Sequence, residues 1–210
     1  MLRITGWVTM VVLATLVGIY ALSSAFVPAL RTGFVADLFL DQNLRAFGHL
    51  AAGGIAIVAG ACQFSVRLRR NRPLIHRTLG RIYVVMVLVS GISAGFMAPF
   101  SDGGITAHFG FGMMAFLWLT TTIMAWLRVR SRDYAAHREW MIRSYALCLA
   151  AVTLRVYLPL SAMAGIPFSE SYPAISWLCW VPNLIIAEWF LVRGSIAPLQ
   201  VQTGLRKQDL

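Results

Sequence analysis

Apolar residues run along this chain in six stretches of spanning length, at 7–27, 46–66, 79–100, 105–127, 140–160 and 174–192, each closed by Arg, Pro, Gly or Asp clusters. About twenty consecutive apolar residues are what a helix needs to cross a bilayer, and a helix satisfies its own backbone in lipid. The pattern therefore predicts an all-α fold, an integral membrane six-helix bundle occupying 1–210 as a single transmembrane domain. Six spans use most of the 210 residues and leave no room for a soluble catalytic domain. The first run, between MLRITG and ALSSA, has the outline of a secretory signal, but it is expected to stay as a span because the charge pattern works with it retained.

Composition agrees with the runs: 59% of residues are hydrophobic and 12% charged, and mean hydropathy is +0.71. Soluble domains carry about a quarter charged residues. The cations are not scattered. Arg67, Arg69, Arg70, Arg72, Arg77 and Arg81 crowd the second connection, Arg128, Arg130, Arg132, Arg138 and Arg143 the fourth, and Arg3, Arg193, Arg206 and Lys207 mark the two ends. Opposite-side connections hold only Arg31 and Arg45, beside Asp37, Asp41, Asp102 and Glu170. The positive-inside rule then predicts a multi-pass protein of the bacterial inner (cytoplasmic) membrane with both termini cytoplasmic. The net charge of +10 is read as topology, with attraction to anionic lipid second. No stretch interleaves basic and aromatic residues as a nucleic-acid surface would, so no nucleic-acid partner is expected. Cys62, Cys148 and Cys179 lie within spans at unrelated spacings and read as buried apolar thiols.

The four histidines divide one each among helices two to five: His49, His76, His108 and His137. Each is expected at the N-terminal end of its span. Alternating helix direction then sorts them into an outer pair, His49 with His108, and a cytoplasmic pair, His76 with His137. Facing imidazoles suit bis-histidine haem ligation, and the positive end of a helix dipole favours the neutral ring that keeps a lone pair for iron. Arginines near each pair would balance the propionates: Arg77, Arg81, Arg138 and Arg143 inside, Arg45 and Arg155 outside. Gly48, Gly53, Gly54, Gly110 and Gly112 would let a flat ring approach the backbone. The plain alternatives stand beside this: interfacial cations for the histidines, topology charges for the arginines, helix packing for the glycines.

Three intramembrane polar groups remain. Arg155 lies deep along helix five, where it either snorkels or has a buried partner. Pro182 frees a backbone carbonyl in helix six, which also carries Asn183 and Glu188. Glu188 is expected to pair with Arg143 or Arg81, with proton handling or quinone contact as the alternative.

HRTLGRIY, HREWMIRSYALCLAAVTLRVYLPL and WLCWVPNLIIAEW resemble the hallmark segments of a bacterial family of predicted membrane proteins of unknown function. The architecture, six helices with single histidines on helices two to five, is similar to the cytochrome b561 class of transmembrane electron carriers. That second resemblance implies one haem on helices two and four and another on three and five, hence His49 with His108 and His76 with His137. His108 lies outside the three hallmark segments, and no ascorbate or ferric-chelate motif is present, so one haem on a single pair stays open.

The expected function is a b-type cytochrome-like electron carrier with one or two haem b groups, possible transmembrane oxidoreductase activity, quinol or another donor as partner, and homo-oligomerisation open. The alternative is a haem-free transporter or lipid-binding module using Arg155, Asn183 and Glu188. An intramembrane zinc hydrolase is disfavoured, since histidines split between leaflets cannot supply three ligands to one ion and no HExxH occurs.

Overall fold

The computed structural model describes the backbone of residues 2–31 and 33–206 and the side chains of 5–31 and 33–193. Six segments are long and apolar enough to span a membrane: Thr5–Phe26, Phe34–Gln63, Pro73–Phe100, Gly104–Arg130, Tyr134–Met163 and Phe168–Arg193. No strand occurs among the described residues. Of the cations used to read topology, the side chains of Arg3, Arg206 and Lys207 lie outside the described residues.

The helices are α1 (Leu2–Phe26), α2 (Phe34–Gln63), the short α3 (Val66–Asn71), α4 (Pro73–Met97), α5 (Gly104–Arg130), α6 (Tyr134–Cys148), α7 (Ala150–Met163), α8 (Phe168–Leu178) and α9 (Val181–Arg206). Spans five and six are thus each made of two helices. Several helices begin before their apolar runs, because local chemistry starts them. Pro73, with its fixed φ, opens α4. Asp133 accepts from the Ala136 N–H at the start of α6. The largest difference is in α2, which starts at Phe34 and bends at Gln42 (φ −141°, ψ 46°). Asp37 and Asp41 lie before that break and Arg45 just after it.

Packed in sequence, α2, α4, α5 and α6 close into a ring, since α6 returns to α2. Within it α2 stands across from α5, and α4 from α6. Outside the ring, α1 lies against α2 and α7, α8 against α5 and α7, and α9 against α6. Small residues set these approaches. A Cβ on Gly18 or on Gly54 would lie 3.1 Å from the other's carbonyl, so α1 and α2 cross at a glycine pair. A Cβ on Gly60 would lie 2.5 Å from the Tyr145 ring and 2.7 Å from that of Tyr83. Gly48 and Gly53 face Ser93 and Ser90 of α4, and Gly110 faces Ser176 and Trp177 of α8, which is helix packing.

Two ends result. The arginine-rich end holds α3 and the α5–α6 turn, and the acid-rich end holds Asp37, Asp102 and Glu170. The two arginines at the acid-rich end are stapled locally. Arg31 donates to the carbonyls of Ser24 (2.8 Å) and Ala25 (2.9 Å) at the end of α1 and covers the Phe39 ring. Arg45 lies over Phe100 at 5.1 Å.

Candidate ligand cavity and the four histidines

In the middle of the ring the chain places polar side chains against one another. The Tyr83 and Ser144 hydroxyls are 2.7 Å apart, Ser144 is 2.7 Å from the Thr122 hydroxyl, and Tyr145 donates to the Ile57 carbonyl at 2.9 Å. Tyr83, Ser144, Tyr145 and Thr122 are buried. In a bilayer such groups need partners within the protein, and each has one.

Between this layer and the acid-rich end the helices leave a cavity of about 390 Å³. Its walls are mostly apolar, among them Val17, Leu50, Met114 and Leu158, with His49, Ser90 and Arg155 as polar points and Asp37, Asp41 and Asp102 also on the lining. These three carboxylates are exposed. The volume is within the usual range for small-molecule sites, and a few polar groups in an apolar wall is their usual composition.

Arg155 reaches this space from α7. One terminal nitrogen donates to the Ala151 carbonyl at 2.9 Å, and the guanidinium carbon lies 4.9 Å from the centre of the Tyr20 ring. Its Nε is buried with no hydrogen-bond partner. No carboxylate forms a salt bridge with it among the described residues. The arginine is therefore held by its own helix and by α1, with no counter-ion.

His49 does not stand at the very start of its span: it lies seven residues, about two turns, past the break at Gln42 and level with Ser90 of α4. The Ser90 hydroxyl donates to the His49 carbonyl at 3.0 Å. With that proton spent, the His49 Nδ1–H is left to donate to the Ser90 carbonyl at 3.2 Å, and Nε2 is without a protein partner. His108 is elsewhere. Its Nε2 lies 3.0 Å from the Ser101 carbonyl, and it does not line the cavity.

Register separates these two histidines further. His49 is level with Ser90 on α4, and a Cβ on the adjacent Gly91 would meet Leu119 of α5. His49 therefore sits beside the Leu119 level of α5, roughly 16 Å along the axis from His108 at 1.5 Å per residue. The two are not brought together as ligands of one iron, and the depth of His49 is the reason.

The other pair is level. Helices α4 and α6 run in the same direction across the ring and are tied by the Tyr83–Ser144 contact. His76 and His137 each lie two turns before that contact, on nearly the same helical faces, to within about 20°. His137 donates from Nδ1 to the Ala125 carbonyl at 2.8 Å. The Gln63 amide, oriented so that its nitrogen donates, is 3.0 Å from His76 Nδ1. Both Nε2 atoms lack a protein partner. Arg77, Arg81 and Arg138 near this end are exposed. Among the described residues no group of three or more His, Cys, Asp or Glu side chains is placed to hold a metal ion.

Residues 46–191 match the family described as "Predicted membrane protein (DUF2306)". The chain belongs to this family. No curated protein and no solved structure matches it. The match takes in all four histidines and Arg155 but not Tyr20, Asp37 or Asp41, so one wall of the cavity and part of its acidic lining come from outside the family region.

Asn183 and Glu188 have structural work. Glu188 and Arg143 form a two-pronged ion pair, Arg143 Nε to Oε1 and Nη2 to Oε2, the latter at 3.0 Å. Glu139 (3.8 Å) and the Trp140 ring flank Arg143. Pro182 has no N–H for the Leu178 carbonyl, and span six breaks there between α8 and α9. Asn183 patches the break, donating to the Cys179 carbonyl (3.1 Å) and to the Thr153 hydroxyl (2.9 Å). Neither Asn183 nor Glu188 lines the cavity. Ser90 and Tyr20 do, and nothing in their local sequence singles them out; the only available signal for Ser90 was a hydroxyl inside an apolar run.

Proposed function

We propose that the protein is a membrane-embedded binding or carrier module for a small amphipathic molecule, in a bacterial cytoplasmic membrane with both termini cytoplasmic. The observation that carries this reading is the cavity itself: about 390 Å³ among α1, α2, α4, α5 and α7, apolar-walled, with Arg155 and His49 among its polar points. Apolar walls accept a hydrocarbon body and a few fixed polar groups orient its head. The reading keeps Arg155 from the transporter or lipid-binding alternative and replaces Asn183 and Glu188 with His49 and Ser90. Photolabelling tests it. A lipophilic diazirine probe should attach to cavity residues such as Met114 or Leu158, and the bulkier Ala94→Leu should reduce that labelling. Labelling confined to lipid-facing residues and indifferent to Ala94→Leu would sink it.

A second reading keeps the electron carrier in a one-haem form. His76 and His137 favour it: they are level on facing helices, and the His137 Nδ1–H is engaged by the Ala125 carbonyl, which leaves its Nε2 lone pair open, while His76, whose Nδ1 accepts from Gln63, would give up that bond to move its proton off Nε2. These two would hold the iron, with Arg77, Arg81 and Arg138 available to the propionates. A bound haem b would supply one-electron transfer, with quinol as a donor of suitable chemistry. The resemblance to the cytochrome b561 class enters here only for this pair. Reduced minus oxidised spectra of protein from haem-replete cells test it. Sharp α and β bands that survive His108→Ala and vanish in His76→Ala and His137→Ala are expected, and a colourless wild-type protein ends the reading.

A further inference from the structure

We infer that the cavity selects a ligand with an oxyanion head, a carboxylate on an apolar chain, and that Arg155 is the residue that reads it. This rests on the cavity reading above and names the ligand class.

The argument starts from an imbalance. A guanidinium in an apolar surround is costly unless an anion and hydrogen bonds offset the lost hydration. Arg143 shows how this chain does so elsewhere, with Glu188 taking both prongs. Arg155 has the same kind of side chain and no such carboxylate. Its bond to the Ala151 carbonyl uses one terminal nitrogen and fixes the plane of the group. The edge made by Nε and the other terminal nitrogen is left without a protein acceptor, and Nε is buried. Nε itself is covered by protein, so a carboxylate would meet the other terminal nitrogen, to which an ammonium offers no acceptor.

His49 supplies the complement. With Nδ1 turned to the Ser90 carbonyl, its Nε2 lone pair is free to accept from a hydroxyl or from the proton of an acid arriving in neutral form. The exposed Asp37, Asp41 and Asp102 on the same lining do not reverse the preference. Charges facing water are screened within about 8 Å at physiological salt, while a desolvated charge is not.

Protein in lipid nanodiscs, with empty nanodiscs subtracted, would be titrated with radiolabelled decanoate, and decanol and decyltrimethylammonium would be used as competitors. Decanoate is expected to bind about tenfold or more tightly than either competitor, in keeping with charge-assisted hydrogen bonds. Arg155→Gln should remove that preference while leaving decanol competition unchanged, and Arg155→Lys should restore it only in part. If Arg155→Gln does not fold, the headgroup series on the wild-type chain decides alone. Equal binding of decanol and decanoate, or preference for the ammonium, overturns the oxyanion inference and leaves the cavity reading standing. Binding of none of the three probes overturns both.

Discussion

The two halves of the bundle share α2, α4 and α5 and treat the space between them in opposite ways. Toward the arginine-rich end, Tyr83 and Tyr145 fill the ring, and the hydroxyls of Tyr83, Ser144 and Thr122 satisfy one another. Toward the acid-rich end α2, α4 and α5, joined by α1 and α7, stand around about 390 Å³, and Arg155 of α7 carries a buried Nε without a partner. Polar groups that close on each other hold a structure together. A polar group left open beside a cavity calls for an occupant. The contrast also sorts the arginines: Arg143 has a carboxylate partner, and Arg155 has none among the described residues.

The largest effect should come from adding volume to the filled half. Gly60→Val puts a branched side chain where a single Cβ already comes within 2.5 Å of Tyr145. The expected loss is about 3 kcal/mol, the upper part of the overpacking range, because two rings on different helices would have to move together. Reversible unfolding in mixed micelles would measure it. A change under about 1 kcal/mol would mean that the tyrosine layer is loose, and the contrast between the halves would be lost.

Next in size is the ion pair. Glu188→Leu leaves Arg143 facing only the more distant Glu139. Glu188 is 42% exposed on its side chain, so the full cost of breaking a buried pair is discounted to about 1–2 kcal/mol. Replacing both, Arg143→Met with Glu188→Leu, should recover most of that loss, since neither charge is then left alone. No recovery in the double variant would give Arg143 a task beyond balancing Glu188.

These two sites differ in how far they can be read from sequence. The Glu188–Arg143 pair follows from depth: both lie toward the same end of their spans, and a carboxylate in lipid needs a cation. The six spans follow from run length in the same way. Gly60 gives no such sign, because its role depends on which residues of α4 and α6 face it. His49 was misplaced for a related reason. The apolar run opens at Ala46 and so puts the histidine at an end, whereas packing sets His49 beside Ser90 of α4, two turns past the break at Gln42. Register across the ring is the missing quantity. Once Tyr83 meets Ser144, the equal spacing from His76 and from His137 becomes meaningful; before that, it is two unrelated numbers. The cavity is a product of tertiary packing, and no local pattern around Ser90 or Tyr20 announces it.

A smaller effect should follow from removing one hydroxyl of the layer. Tyr83→Phe keeps the ring and deletes the contact to Ser144, which still has Thr122. About 1 kcal/mol is expected, the net worth of one hydrogen bond, because Ser144 keeps a hydroxyl partner. Ser144→Ala should cost more, since Tyr83 would lose its hydroxyl partner while Thr122 retains the Trp118 carbonyl at 2.7 Å. Reversal of that order would mean that Tyr83 has another acceptor.

The smallest effect on stability tests the comparison most directly. Ala94→Leu adds three carbons, as many as Gly60→Val, yet Ala94 lines the cavity, where added carbon meets space in place of rings. Stability should change by less than about 1 kcal/mol, since the group enters a void and displaces no packed neighbour. The same substitution should cut decanoate binding, because it occupies part of the volume the hydrocarbon chain needs. Equal destabilisation by Ala94→Leu and Gly60→Val would make both halves equally packed and remove the case for an occupant. Unchanged stability with lost binding would separate what this half does for the ligand from what the other half does for the fold.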